Sequence, residues 1–204
     1  PDVVEVNGMG GEAKKYQVLP IDNSVLPRAL APKPSYTAGR DEFTYPGDLI
    51  GIPTSTAPEI LGRSFTIRAD VDVPAGGGDG MIVTDGGRFG GYGMYVLRGR
   101  PVFTYNLLAL EIFKWTGNAA LAPGRHTISF DFTYAGPGPG KGGTGVLTVD
   151  GREVARRQIP HTTPFILSID ETFDIGRDTR TSVDDRDYAV PFTFTGKIAR
   201  VTVE

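Results

Sequence analysis

Apolar and polar residues alternate over ten positions in the stretch Ser64-Phe65-Thr66-Ile67-Arg68-Ala69-Asp70-Val71-Asp72-Val73. Successive side chains of a β-strand point to opposite faces, so this pattern places all the apolar residues on one face. The polar residues between them then face solvent. The stretch therefore predicts a half-buried strand whose apolar face covers a core.

Runs with the same period continue to the end of the chain. They cover residues 81–84, 92–97, 101–106, 110–116, 126–134, 145–149, 153–159, 165–169 and 192–204. Arg98-Gly99 and Asp150-Gly151 separate paired runs, and Asp-Gly favours a type I′ hairpin turn, which needs a positive φ at both central positions. No helical pattern of about ten or more residues follows residue 20. The sequence therefore predicts about ten short antiparallel strands.

The N-terminal third has a different character. Residues 12–19 are typical of one or two helical turns that end at Pro20. The Pro-rich stretch from Pro27 to Pro58 cannot form the regular backbone hydrogen bonds of a β-sheet, because proline has no N–H to donate. We interpret residues 1–63 as a linker and an extended wrapping segment, with short strands near residues 43–45 and 49–52. Residues 64–204 are predicted to form one β-sandwich domain.

Short strands joined by Gly- and Pro-rich turns are typical of a sandwich or a jelly roll. The closing run from Phe192 to Val201 resembles the last strands of concanavalin A-like and laminin G-like sandwiches. No internal repeat is present, which argues against a propeller. The predicted fold is all-β, a concanavalin A-like/laminin G-like jelly-roll β-sandwich with an N-terminal extended Pro-rich segment.

Composition excludes several kinds of chemistry. The 204 residues include no Cys and two His, so disulfides, thiolate metal sites, a cysteine nucleophile and a three-His zinc site are ruled out. The net charge of −3 argues against nucleic acid as a partner, because phosphate binding needs a basic field. Apolar runs are far shorter than the ~20 residues that cross a bilayer, so we predict no membrane partner.

Acidic residues are concentrated in residues 170–187, which contain seven Asp or Glu and three Arg. Oxygen-rich clusters suit calcium, so one interpretation is a metal site at Asp170, Asp174 and Asp178. The other is a strand end followed by a solvated loop with Asp–Arg pairs. A glycosidase pair is disfavoured, because Asp170 and Asp174 on one strand would lie about 13 Å apart, beyond the ~9.5 Å limit of inverting enzymes.

Other candidate binding residues lie in loops and at strand ends. Arg88 lies in the Gly-rich stretch 85–93, where it could bind an anion, although a purely structural turn is the alternative. His161 follows Pro160 in a loop, and loop residues often carry function. Tyr105 and Asn106 could form part of a sugar platform, although aromatic residues on alternating strands usually belong to the core.

Four stretches taken in order resemble the C-terminal region of large bacterial arylsulfatases. They are Ala13-Lys14-Lys15-Tyr16-Gln17-Val18-Leu19-Pro20-Ile21-Asp22, Gly87-Arg88-Phe89-Gly90-Gly91, Gly140-Lys141-Gly142-Gly143 and Asp170-Glu171-Thr172-Phe173-Asp174-Ile175-Gly176-Arg177-Asp178-Thr179. The resemblance covers roughly residues 12–204. It implies a β-sandwich that follows a catalytic domain, in a soluble protein of the bacterial cytoplasm or periplasm.

The resemblance also implies a missing nucleophile. Sulfatases make a formylglycine from Cys or Ser in a [CS]-x-P-x-R motif, and none of the seven Ser here has Pro two positions later. We therefore interpret the chain as a non-catalytic part that packs on a sulfatase catalytic domain. Its loops would shape a cleft for a sulfate ester or glycan, with Arg88, Tyr105, Asn106, His161 and Arg177 as candidates. The alternative is a stand-alone calcium-dependent carbohydrate-binding module.

Overall fold

The computed structural model describes residues 11, 14–16, 37–165, 167–168 and 170–204. The chain divides into two compact units, Pro1–Pro34 and Ser35–Glu204. In the first unit, Gly11, Lys14 and Lys15 are helical, at the place where a short helical turn was predicted. The predicted Pro-rich wrapping segment over residues 17–36 lies outside the described residues. No helix in the described part of the chain is long and apolar enough to cross a membrane.

The second unit is built almost entirely from strands. In chain order they are β1 (Phe43–Tyr45), β2 (Leu49–Pro53), β3 (Phe65–Val73), β4 (Gly80–Gly87), β5 (Gly90–Leu97), β6 (Arg100–Leu107), β7 (Glu111–Thr116), β8 (Gly124–Tyr134), β9 (Lys141–Val149), β10 (Arg152–His161), β11 (Thr172–Ile175), β12 (Arg177–Asp178), β13 (Phe192–Thr193) and β14 (Lys197–Val203). A 3₁₀ turn, Thr54–Thr56, follows β2.

These strands form two sheets. The first has the order β1-β14-β3-β8-β9-β10, and the second has the order β12-β13-β4-β5-β6-β7, with β11 and β2 attached beside β4. All pairings are antiparallel except a single parallel bridge between Thr193 and Met81. The predicted two-sheet, all-β sandwich is therefore confirmed.

Aromatic side chains fill the space between the sheets. The rings of Phe103 from the second sheet and Phe130 from the first stack with centroids 3.5 Å apart. Trp115 packs edge-on against Phe130 and donates its indole N–H to the carbonyl oxygen of Gly145 at 2.9 Å. The alternation that opened the sequence is seen in β3, where every second residue is buried, because each faces this core.

Most predicted strands and both predicted turns are confirmed. Arg98 and Gly99 have φ values of 50° and 80°, and Asp150 and Gly151 have 51° and 76°, as type I′ turns require. β1 and β2 also lie where short strands were expected. They pair with β14 and β11, within the unit that begins at Ser35. That unit therefore starts before residue 64, the first residue assigned to the sandwich from the sequence.

Three strand predictions need correction. The described residues of 165–169, which are Phe165, Leu167 and Ser168, are not in a strand; just before them, the Thr163 N–H donates to the Tyr105 hydroxyl at 2.9 Å rather than to the backbone of a neighbouring strand. The single run predicted over 192–204 is two strands, β13 and β14, which belong to different sheets. β11 and β12 were not predicted as strands, since the partners of β11 lie far away in sequence and β12 is only two residues long.

The core leaves no room for a side chain at Gly145. A Cβ atom there would lie 2.6 Å from the Phe130 and Trp115 rings. We expect Gly145→Ala to lower the free energy of unfolding by roughly 1–3 kcal/mol, the usual cost of overpacking. The measurement is urea denaturation. Gly76→Ala is the control, because a Cβ at Gly76 meets nothing within 4 Å. Equal stability of the two variants would contradict this view of the core.

Candidate functional site

The outer face of the second sheet is a surface on which a ligand platform could have formed. Instead, residues 179–191, here called the covering segment, lie across it. Tyr188 from this segment belongs to a second hydrophobic cluster with Met81, Tyr95 and Val102. Every residue of β4 is buried, and so is every residue of β5 except Leu97. These strands are buried on both faces because one face meets the first sheet and the other meets the covering segment.

An ion-pair network joins the covering segment to the sheet. The Lys114 ammonium group, on β7, lies 2.8 Å from a carboxylate oxygen of Asp184 and 2.6 Å from one of Asp187. Asp187 also accepts a short hydrogen bond from the Tyr95 hydroxyl. Arg186 donates two side-chain hydrogen bonds to Asp184, each 2.8 Å long. Burial alone would raise the pKa of Asp184, but the bonds from Arg186 and Lys114 outweigh burial and hold that pKa below its ordinary value.

A second group of carboxylates holds the edge of the second sheet. Asp174 on β11 is 2% exposed. It accepts hydrogen bonds from the Gly51 N–H at 2.7 Å, the Thr172 hydroxyl at 3.0 Å and the Thr179 hydroxyl at 2.9 Å. The Gly51 bond crosses from β11 to β2. Asp174 therefore fastens the edge strand to the sheet.

Asp178 links this group to the covering segment. Its carboxylate is 1% exposed and accepts a hydrogen bond of 2.5 Å from the Tyr188 hydroxyl. Burial raises the pKa of Asp178 to about 7; the Tyr188 hydrogen bond opposes the rise, and the negative charges of Glu171 and Asp174 add to it. Asp178 therefore titrates near neutral pH.

A third buried carboxyl group, Asp85 on β4, lies inside the second sheet. Its Oδ1 atom and the neighbouring Tyr92 hydroxyl make no hydrogen bond with the described residues. Burial raises the pKa of Asp85 to about 7, and the negative charges of Asp174 and Glu171 add to the rise. A buried carboxylate costs free energy, so a proton on Asp85 favours the folded state.

The carboxylates predicted to hold calcium do not form one site. Among the described residues, no group of three or more His, Asp or Glu side chains is arranged to hold a metal ion. Asp170 is exposed, and its backbone carbonyl accepts a bond of 2.6 Å from Arg180. Asp174 and Asp178 are occupied by N–H and hydroxyl donors from the protein itself. The strand residues and the Asp184–Arg186 pair agree with the alternative interpretation, a strand end and a loop with Asp–Arg pairs, but Asp174, Asp178 and Asp184 are buried rather than solvated.

Tyr105 and Asn106, two of the predicted binding residues, are structural. Tyr105 is 5% exposed, and its hydroxyl lies 2.9 Å from the Thr163 hydroxyl. Asn106 is 1% exposed and donates its amide hydrogens to the carbonyl oxygens of Gly87, at 3.0 Å, and Val183, at 2.9 Å. Neither side chain is free to form a sugar platform.

The three other predicted binding residues are exposed but lie at two different places. Arg88 lies in the β4–β5 turn and pairs with Asp185 at 2.7 Å. The His161 ring lies 4.0 Å from a carboxylate oxygen of Glu111, at the same end of the sandwich. Arg177 lies on β12, where its Nε donates to the Thr193 hydroxyl at 2.9 Å. Residues close to Arg177 pair with the end of β4 that lies far from the β4–β5 turn. The five candidates therefore do not form one site.

The residue that organises this region, Lys114, was not predicted from the sequence. It lies between the core residues Phe113 and Trp115, on the opposite face of β7. The signal was present: a lysine between two large aromatic residues of a strand, with an acidic stretch elsewhere in the sequence that three arginines do not neutralise. Asp184 is 70 residues away, so the pairing itself could not be read locally.

Known proteins resemble this chain in structure but not in sequence. No family model and no curated relative matches it. Domains LG4-5 of the mouse laminin α1 chain align with a TM-score of 0.57 and 14% identity, over 85% of this chain and 44% of that one. The Ruminococcus gnavus IT-sialidase CBM40 bound to α2,3-sialyllactose aligns with a TM-score of 0.53 and 15% identity, over 79% of this chain and 90% of that one.

The chain thus spans less than half the length of the laminin structure that it matches. At such low identity the likeness is one of fold alone. It confirms the predicted laminin G-like jelly roll.

Removing the Lys114 ammonium tests the ion-pair network. Lys114→Ala leaves Asp187 without its cation and Asp184 with Arg186 alone, so we expect roughly 1–3 kcal/mol less free energy of unfolding. Chemical denaturation measures it. Arg156→Ala removes an exposed i, i+3 pair with Glu153 and serves as the control, since such pairs contribute little. A loss no larger than in the control would contradict a structural role for Lys114.

The raised pKa of Asp178 predicts a pH dependence of stability. The folded state keeps this proton up to about pH 7, whereas the unfolded chain releases it near the ordinary pKa of 3.8. The free energy of unfolding should therefore fall as pH rises from about 4 to about 7. Asp178→Asn should make this fall shallower without abolishing it, because Asp85 acts in the same direction. Denaturation at several pH values gives the slope of the free energy of unfolding against pH for the wild type and for the variant. Identical slopes would contradict the raised pKa of Asp178.

Proposed function

We propose that this chain is a non-catalytic β-sandwich of an arylsulfatase-like sulfuric ester hydrolase, which packs on the catalytic domain and helps to shape its substrate cleft. The observation that carries the proposal is the covered outer face of the second sheet. Lys114, Asp184 and Asp187 hold the covering segment in place by contacts of 2.6 and 2.8 Å. The face that would offer a broad ligand platform is thus filled by the chain itself.

The residues that carry the arylsulfatase resemblance have structural roles, which supports a domain-level relationship. A Cβ at Gly91 would meet the backbone of Asp85 and Gly86, and one at Gly176 would lie 2.5 Å from the Asp48 carboxylate. Asp174 fastens β2 to β11 through the Gly51 N–H. Such positions specify a particular sandwich rather than a reaction. The resemblance therefore points to the accessory part of the hydrolase.

One edge of the second sheet suits packing on a catalytic domain. Leu49 and Ile50 on β2 are 40% and 49% exposed, although both are large and apolar. Leu49 pairs with Ile175, two residues before Arg177. Under the proposal, this edge contacts the catalytic domain, and Arg177 supplies a cation at the margin of a cleft for sulfate esters. Arg88 and His161 lie at the opposite end of the sandwich and take no part in that contact.

The alternative, a calcium-dependent carbohydrate-binding module, receives less support. Its predicted ligands Asp170, Asp174 and Asp178 do not form one group, and Tyr105 and Asn106 are buried. The similarity to the sialyllactose-bound CBM40 is one of fold. Calorimetry with calcium, followed by neutral and sulfated glycans, separates the two functions. Heat of calcium binding followed by glycan binding would favour the alternative.

An activity assay tests the absence of catalysis directly. The purified chain should release no phenol from an aryl sulfate above the buffer rate, with or without calcium, because it has no residue that can become formylglycine. Turnover above background would contradict the proposal. The parent is tested separately by reading the gene upstream, where the proposal expects a [CS]-x-P-x-R motif in the same reading frame. A frame without that motif would remove the sulfatase assignment.

A further inference from the structure

Three large apolar side chains protrude at one end of the sandwich. They are Phe89, Leu110 and Phe165, which are 59%, 83% and 68% exposed; we call them the tip patch. Phe89 lies in the β4–β5 turn, Leu110 in the β6–β7 turn and Phe165 in the loop after β10. Exposed apolar side chains that lie together mark interaction surfaces more often than isolated ones do.

Contacts between these turns bring the three side chains to the same end. A Cβ at Gly90, next to Phe89, would lie 2.6 Å from the Leu167 carbonyl oxygen and 3.2 Å from the Leu108 side chain. The His161 ring lies 4.0 Å from Glu111, the residue after Leu110. The β4–β5 turn therefore touches both the β6–β7 turn and the loop that carries Phe165.

A recess lies beside the tip patch. Its volume is about 230 Å³; Ala109, Ile112 and Val183 line it, together with the polar residues Arg88, Asn106, Ser182, Asp184, Asp185 and Arg186. An apolar cavity of about 150 Å³ holds a benzene ring, so this recess has room for an aromatic side chain. The same end of the molecule thus carries protruding rings and a hollow that fits a ring.

Charges around the patch are balanced. Arg88 pairs with Asp185 at 2.7 Å, and His161 lies beside Glu111. Positively and negatively charged side chains lie side by side, so this end produces no net basic field of the kind that attracts nucleic acid or anionic lipid. A surface that carries both signs complements a copy of itself rotated about a two-fold axis, because each cation then meets an anion.

We propose that two copies of this chain associate through the tip patch about a two-fold axis, with an aromatic side chain of each copy in the recess of the other. Each aromatic side chain buries roughly 150–250 Å², so the three side chains per copy give an interface smaller than the ~1,600 Å² of stable complexes. The dimer is therefore weak and depends on concentration. It leaves the Leu49–Ile50 edge free and does not rest on the proposed sulfatase relationship.

Sedimentation velocity of the full chain from about 1 to about 300 µM tests the proposal. The wild type should shift from monomer to dimer over this range, a span that covers micromolar affinities. Phe89→Ser, Leu110→Ser and Phe165→Ser together should abolish the shift. Leu49→Ser with Ile50→Ser is the matched control, since it removes exposed apolar side chains elsewhere, and it should dimerise like the wild type. Thermal melts establish that both variants fold.

Three results would overturn the proposal. One is a wild type that stays monomeric at every concentration, and another is a dimer that survives the triple substitution. The third comes from vesicles of phosphatidylcholine and phosphatidylserine. If a monomeric chain bound them and the triple variant did not, the tip patch would be a membrane contact instead.

Discussion

The ammonium group of Lys114 lies within 2.8 Å of two carboxylates from the segment that covers the second sheet. Buried carboxylates are costly without a partner, and here Lys114 and Arg186 meet Asp184, while Lys114 and the Tyr95 hydroxyl meet Asp187. Their positions bring Tyr188 against Tyr95, with ring centroids 5.3 Å apart. This network therefore stabilises the second hydrophobic cluster and the double-sided burial of β4 and β5, together with the hydrogen bonds from Asn106 to Val183 and from Tyr188 to Asp178.

This arrangement determines which surfaces are open to partners. A sheet face covered by its own chain offers no platform, so on the second sheet the surfaces left for a partner are its edges and turns. Among the described residues of the unit from Ser35 to Glu204, large apolar side chains remain exposed at the Leu49–Ile50 edge and at the tip patch, which lie at different parts of the sandwich. Both exposed surfaces are consistent with an accessory domain that contacts a catalytic domain by one of them and a second copy of itself by the other.

Local patterns predicted much of the fold, and long-range contacts account for what was missed. The alternation in β3 and the positive φ values at Asp150 and Gly151 depend on neighbouring residues only, so both could be read from the sequence. β11 is four residues long and is held by β2 and β4, more than a hundred residues and nearly ninety residues earlier in the chain. Asp174 and Asp178 were interpreted as metal ligands because an oxygen-rich cluster suits calcium. In the structure the hydroxyls of Thr172, Thr179 and Tyr188, all within ten residues in sequence, satisfy them instead, together with the distant Gly51 N–H.

Hydrogen exchange of the backbone amides in residues 182–188, with and without calcium, is the most direct test of the central claim. If the covering segment is held by Lys114 and buried against the sheet, its amides should exchange slowly, and calcium should not change their rates. Fast exchange in the absence of calcium, or protection that appears only when calcium is added, would show that the segment is an open acidic loop and would contradict this account.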